Sequence, residues 1–202
     1  MGIIVSLAIF FSAVVIHEFA HAFAAYHLGD TTAQRMGRLT LNPLAHIDPF
    51  GTILLPIMLI TLHSPVLFGW AKPVPINFSS LKNPKRDMIW VGFAGPAANF
   101  LLAFTATLFL KIGSYDPGTL VASVVGYLIT INIVLAVFNL IPIPPLDGSR
   151  VLMGLLPTPL AIAVSRLEPY GFILLFALLY IGLFDKIVWP VASALLHLLA
   201  HI

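Results

Sequence analysis

The sequence contains no cysteine, which excludes a disulfide framework, a cysteine zinc finger and a thiol nucleophile. It is also poor in charge. Only 9% of its 202 residues are Asp, Glu, Lys or Arg, against about 25% in a soluble globular domain, so an ordinary water-soluble fold is excluded. The same scarcity excludes a disordered chain and a charged coiled coil. Ten Lys and Arg stand against eight Asp and Glu, a net charge of +2. The isoelectric point of about 9.1 therefore reflects small numbers and not a basic patch, and a nucleic-acid partner is excluded. There is no soluble domain, low-complexity linker or internal repeat. What is abundant is apolar: 59% of residues are hydrophobic and the mean hydropathy is +1.02. A span needs about 20 apolar residues, so the chain has room for roughly five to six membrane helical segments. The expected fold class is an all-α polytopic membrane protein with a small strand or loop insertion after its first helix.

The opening stretch, MGIIVSLAIFFSAVVIHEFAHAFAAYH, has no positively charged start, and its apolar run passes any cleavage point. It reads as a retained helix, about Ile3–His27, and not as a signal peptide. Gly29 and Asp30 end it. Residues 28–87 read as a mixed re-entrant and loop region. Within it, Gly37–Leu41 alternates weakly and suits a short strand. The apolar stretch 51–66 contains Pro56 and is short for a span, so it is expected to dip into the membrane and return. The run WAKPVPINF suits an extended chain, because residues before proline avoid the helical region. Long apolar helices are expected at about 88–112 and 120–141. Residues Ile141–Arg150 (IPIPPLDGSR) are expected to be non-helical, since three prolines fall within four positions. Residues 158–168 suit a short interfacial helix, and C-terminal helices follow at about 170–184 and 187–202. The whole chain, 1–202, reads as one membrane-embedded domain.

The chemistry begins at His17-Glu18-Phe19-Ala20-His21, an HExxH string. On a helix, residues four apart share a face, so both imidazoles can bind one metal ion, with Glu18 able to reach a water on that metal as a general base. An ionised carboxylate near mid-bilayer costs about 2.5–3.5 kcal/mol even on the lenient insertion scale. Folding alone asks for no Glu18 there, although a His–Glu hydrogen-bonded pair joining helices is the bland alternative. Two histidines leave a catalytic zinc one protein ligand short. Among the few acids, Asp147 stands out: it follows Pro144-Pro145-Leu146 and precedes Gly148 at the end of an apolar helix. It can line a cavity where backbone is broken at membrane depth, or simply cap a helix or form an Asx turn.

HEFAH on a membrane helix, GPAAN on a later one (Gly95–Asn99) and NLIPIPPLDG after a third resemble the site-2 protease family of intramembrane zinc metalloproteases. The order of the motifs matches, and the likeness extends over essentially the whole chain. It is nearest to the compact bacterial and archaeal members that lack PDZ or CBS domains. The resemblance implies one Zn²⁺ per chain held by His17, His21 and Asp147, with Glu18 as the catalytic base. It implies that Asn139 sits near the site to bind substrate backbone or the oxyanion, and that Gly95, Pro96 and Asn99 shape the neighbouring helix. For Gly95, close helix packing explains the residue equally well, as do interhelical amide hydrogen bonds for Asn99 and Asn139. The implied activity is hydrolysis of a peptide bond in or near the membrane span of a single-span protein, such as a tethered transcription regulator, an anti-sigma factor or a remnant signal peptide. A strand edge in 30–50 or 70–78 could clamp that substrate by β-addition. Nothing in the sequence sets an oligomeric state. The rival class is a proton or divalent-metal transporter using the same His, Glu and Asp. A histidine-box oxidoreductase would want more clustered histidines, and a dead scaffold would not need Glu18. His197 and His201 repeat the four-residue spacing but read as interfacial tips. His46 and Asp48 suit a turn between Pro43 and Pro49, or the cavity mouth, and His27 and His63 suit membrane interfaces.

A shared metal requires the first helix and the helix before Asp147 to end on the same side. That holds if 51–66 dips and fails if it crosses. The dip puts Arg35, Arg38, Lys72, Lys82, Lys85, Arg86, Arg150 and Arg166 on that side and leaves Lys111 and Lys186 opposite. Such a bias makes the active-site side cytoplasmic, in a multi-pass protein of the cell membrane. Accessibility labelling of Ser64→Cys checks the dip: labelling from the cytoplasmic side is expected, and labelling from outside alone would refute it.

Overall fold

Lipid offers no hydrogen bonds to a backbone, so apolar segments at membrane depth fold as helices. The computed structural model describes residues 2–62 and 71–201. Its α-helices are α1 (Ile3–His27), α2 (Thr32–Arg35), α3 (Leu55–Thr61), α4 (Pro84–Ile112), α5 (Leu120–Asn139), α6 (Asp147–Leu155), α7 (Thr158–Ser165), α8 (Gly171–Tyr180) and α9 (Trp189–His201). Among the described residues, four helical runs are long and apolar enough to cross a membrane: Ile4–His27, Pro84–Ile112, Leu120–Asn139 and Thr158–Tyr180. The last joins α7, a 3₁₀ turn at Glu168–Tyr170 and α8, where the sequence suggests an interfacial piece and a separate span. α9 is preceded by a π turn at Phe184–Val188.

Helix α4 begins earlier than the apolar run. Pro84 is pre-organised for the first helical turn, and Asp87 accepts from the Asn83 N–H at 2.8 Å. Its buried face meets α1 in a four-residue register. Ala13, His17, His21 and Ala25 form a buried stripe on α1, and Val91, Gly95 and Asn99 form one on α4. Ala25 packs with Val91, while Ala13 lies opposite Asn99, so the two helices run antiparallel. Small residues at both ends of the α1 stripe let the backbones approach. Behind them Ala103 of α4, Ile133 and Val137 of α5, Leu175 of α8 and Ala192 of α9 form the main apolar core.

The proline-rich stretch corrects one expectation. The turn runs only from Leu140 to Leu146, and the helix restarts at Asp147, so Asp147–Arg150 are helical. Leu146 is extended at the N-cap, and an acidic residue in the first turn suits the helix dipole. The turn folds back so tightly that a Cβ on Gly148 would strike the carbonyls of Leu140 and Ile141.

The expected strand at Gly37–Leu41 is not formed; among the described residues there is no strand. Gly37 has a φ of +67°, outside the strand region. Residues 71–77 form neither helix nor strand, Asn77 is extended, and three of their N–H groups bond individual partners in place of a ladder. Lys72 donates to the His46 carbonyl at 2.9 Å, Val74 to the Glu18 carboxylate at 2.7 Å and Asn77 to the Asp30 carboxylate at 2.7 Å. Arg38 grips the Lys72 carbonyl at 2.7 Å. The insertion is therefore a loop held by Glu18 of α1 and by buried Asp30 and Arg38. The apolar stretch after it begins as a π turn at Pro49–Leu54, capped by Asp48, and continues as α3 to Thr61. That length rises about 20 Å at most, short of the roughly 30 Å hydrocarbon core. Residues 63–66 lie outside the described residues, as do His63 and Ser64.

Gly148→Ala should destabilise the protein by about 1–3 kcal/mol through overpacking, read as a lower Tm in detergent.

Candidate active site

The register of α1 and α4 decides where the histidines point. Both are 6% exposed, and each has one ring nitrogen on α4. His17 Nδ1 donates to the Asn99 side-chain oxygen at 2.6 Å, and His21 Nδ1 donates to the Val91 carbonyl at 2.7 Å. Oxygen acceptors on both Nδ1 atoms require hydrogen there, which leaves each neutral ring with a bare Nε2. The two Nε2 atoms lie 3.0 Å apart. The Asp147 carboxylate joins them, with Oδ2 at 2.9 Å from His17 Nε2 and 3.2 Å from His21 Nε2. Asp147 does not cap α6, whose N-terminus has no side-chain cap.

Three electron-rich atoms thus face one another with no hydrogen of their own between them. In a tetrahedral zinc site, bonds of about 2.0–2.1 Å put ligand atoms about 3.3 Å apart. The observed triangle, 2.9 to 3.2 Å on its edges, is within a few tenths of that spacing. Space is available because Gly95 faces the pair: a Cβ there would run into His21 Nε2 and lie 2.6 Å from His17 Nε2. The chemistry of the donor set, two imidazoles and a carboxylate with both outer N–H groups anchored, fits zinc.

Glu18 follows His17 on the same turn, with Oε2 held by the Val74 N–H. Pro96 is buried beside Gly95 and can donate no hydrogen bond to the carbonyl one turn back. Asn139 is half-buried at the end of α5, where its amide bonds the Leu135 carbonyl within its own helix at 3.0 Å. The other described histidines stay apart from the cluster. His46 bonds the Thr40 carbonyl, His27 the Phe23 carbonyl, and His197 and His201 pair on exposed α9.

Sequence reasoning missed four participants. The Val91 carbonyl and Val74 N–H are backbone groups and leave no trace in residue type. Asp30 read only as a helix stop. Asn132, an amide within the apolar α5 and 0% exposed, did carry a signal, because a polar residue inside a span is costly.

Gly95→Ala should weaken metal binding at least about tenfold while α1 and α4 stay helical. Zinc affinity by chelator competition, beside circular dichroism, checks it.

Comparison with known proteins agrees with this geometry. Residues 114–180, which include Asp147, match the description "Peptidase family M50". A Bacillus subtilis protein named "Putative zinc metalloprotease YwhC" is 40% identical over 185 residues, covering 88% of this chain and 81% of YwhC. Rip2 of Mycolicibacterium smegmatis, named in the same way, is 34% identical over 165 residues, covering 81% of this chain and 62% of Rip2. MJ0611 of Methanocaldococcus jannaschii, again so named, is 36% identical over 84 residues, 42% of this chain and 41% of its own. No solved structure matches. The apolar helices make this a membrane protein, and the chain belongs to peptidase family M50, the site-2 protease family of zinc metalloproteases.

Proposed function

We propose that the protein cleaves single-span membrane proteins in or near their membrane segment, as in regulated intramembrane proteolysis, with His17, His21 and Asp147 holding one Zn²⁺ and Glu18 acting as the general base. The observation that carries this reading is the convergence of two imidazole nitrogens and a carboxylate oxygen at a spacing that one bound metal ion fits. Bound there, zinc supplies Lewis acidity, acidifying a water and polarising a peptide carbonyl.

The chain's own groups do the rest. Glu18 takes the proton of the attacking water and passes it to the departing amine nitrogen, a transfer typically worth about 10²–10⁴ in rate. The Val74 N–H holds Oε2 and limits the swing of the carboxylate. A substrate helix hides its carbonyls in its own hydrogen bonds, so the segment to be cut unwinds first. Residues 71–77, which form neither helix nor strand and reach Glu18 through Val74, suit a clamp for such an opened segment. The asymmetry of eight cationic residues against two supports a multi-pass arrangement in the cell membrane with the site toward the cytoplasm.

Glu18→Gln should cut peptide hydrolysis at least about 100-fold and leave zinc bound. Cleavage of a panel of single-span substrates by wild type and variant, with metal analysis of both, checks it. Undiminished cleavage by the variant would end the reading of Glu18 as the base.

A further inference from the structure

His21 has its tautomer set by a backbone carbonyl, which cannot turn round. His17 depends on a side-chain amide, which can. If Asn99 presented its NH₂ to His17, the imidazole would move its hydrogen to Nε2 and lose its ligand atom. Something must hold the Asn99 oxygen toward His17.

The hydrogen bonds name it. Asn132 of α5 donates from Nδ2 to the Leu128 carbonyl at 2.8 Å. A carbonyl only accepts, so Asn132 is left with its oxygen outward. That oxygen receives Asn99 Nδ2 at 2.6 Å. The second Asn99 N–H direction is taken by the Ala13 carbonyl at 3.4 Å, again an acceptor only. Both donor directions of Asn99 are thus committed, and its oxygen can only face His17 Nδ1. Asn99 and Asn132 are both 0% exposed, so no bulk water competes for these groups. Reversing one amide would set N–H against N–H or oxygen against oxygen, at the cost of a buried unmade hydrogen bond.

We propose that Asn132 is a positioning residue for the metal centre: through Asn99 it locks His17 in the tautomer whose Nε2 is bare. The relay crosses three helices, from the Leu128 carbonyl on α5 through Asn99 on α4 to His17 on α1. It couples the seating of α5 against α4 to the metal-binding competence of α1. This rests on the reading of His17 as a metal ligand.

The test is metal binding to the whole detergent-solubilised protein, measured for Zn²⁺ by chelator competition and for Co²⁺ by its visible absorption. Asn132→Leu and Asn132→Ala remove the oxygen with side chains of different size, and size-exclusion chromatography selects the variants that fold. Asn132→Asp keeps an oxygen facing Asn99. Thr130→Val, which removes a hydroxyl bonded only within α5, is the control. The expected result is 10- to 100-fold weaker binding in the Leu and Ala variants, the range for outer-shell partners. The Co²⁺ spectrum should change with them, binding should be largely restored in the Asp variant, and the control should be unaltered. Wild-type affinity in both oxygen-free variants would overturn the relay while leaving His17 a ligand. An Asp variant as weak as the Leu variant would overturn it in favour of packing. Failure of wild type to bind any metal that His17→Ala loses would instead bring down the ligand reading and the relay with it.

Discussion

Two imidazole nitrogens and a carboxylate oxygen, all without hydrogens of their own, are pressed together at about hydrogen-bond distance inside an apolar bundle. Unrelieved, such an arrangement of acceptors is repulsive. It is stable only if positive charge sits among the three atoms. Much of the structure serves this constraint. The register of α1 against α4 aims both rings the same way, and Gly95 leaves room in front of them. The turn at Leu140–Leu146 returns the chain so that the first turn of α6 delivers Asp147.

The tolerance of so many buried polar groups follows from how they are partnered. Asn99, Asn132 and both histidines are shielded from solvent, and the two amides and the outer ring nitrogens end on complementary atoms. In lipid the alternative is an unmade bond costing several kcal/mol, so a satisfied network has a single low-energy arrangement. The same reasoning extends to the loop. Asp30 and Arg38 are buried and hold residues 72 to 77 by their backbone atoms. This loop carries the N–H that restrains Glu18, so a segment that looks irregular in sequence is a structural part of the site.

Most of the helical framework was legible from the amino acids. The limits of α1 agree with its apolar run, and α4 and α5 differ from theirs by a few residues, because Pro84 can start a helix where the apolar run has not begun and the prolines stop α5 early. The renewed helix at Asp147 was not legible. A proline cluster reports only that helix is broken, whereas the restart depends on the extended Leu146 and on packing around Gly148. The strand at Gly37–Leu41 was read from weak alternation. Alternation records which side chains want burial but supplies no partner strand, and here the Gly37 and Arg38 N–H groups bond the preceding turn while the Thr40 carbonyl accepts from His46.

By itself the sequence determined the membrane setting, through apolar content and scarce charge, and the pairing of His17, Glu18 and His21, through the fixed pitch of a helix. Local periodicity needs nothing beyond neighbouring residues to act. Only the tertiary structure decided that Asp147 closes the triangle, that Val91 and Asn99 set the ring tautomers, and that Val74 restrains Glu18. Those relations join residues about 50 to 130 positions apart, and two of them run through backbone atoms common to every amino acid. They exist only once helix packing and the hydrogen-bond demands of a water-free interior have chosen a single register.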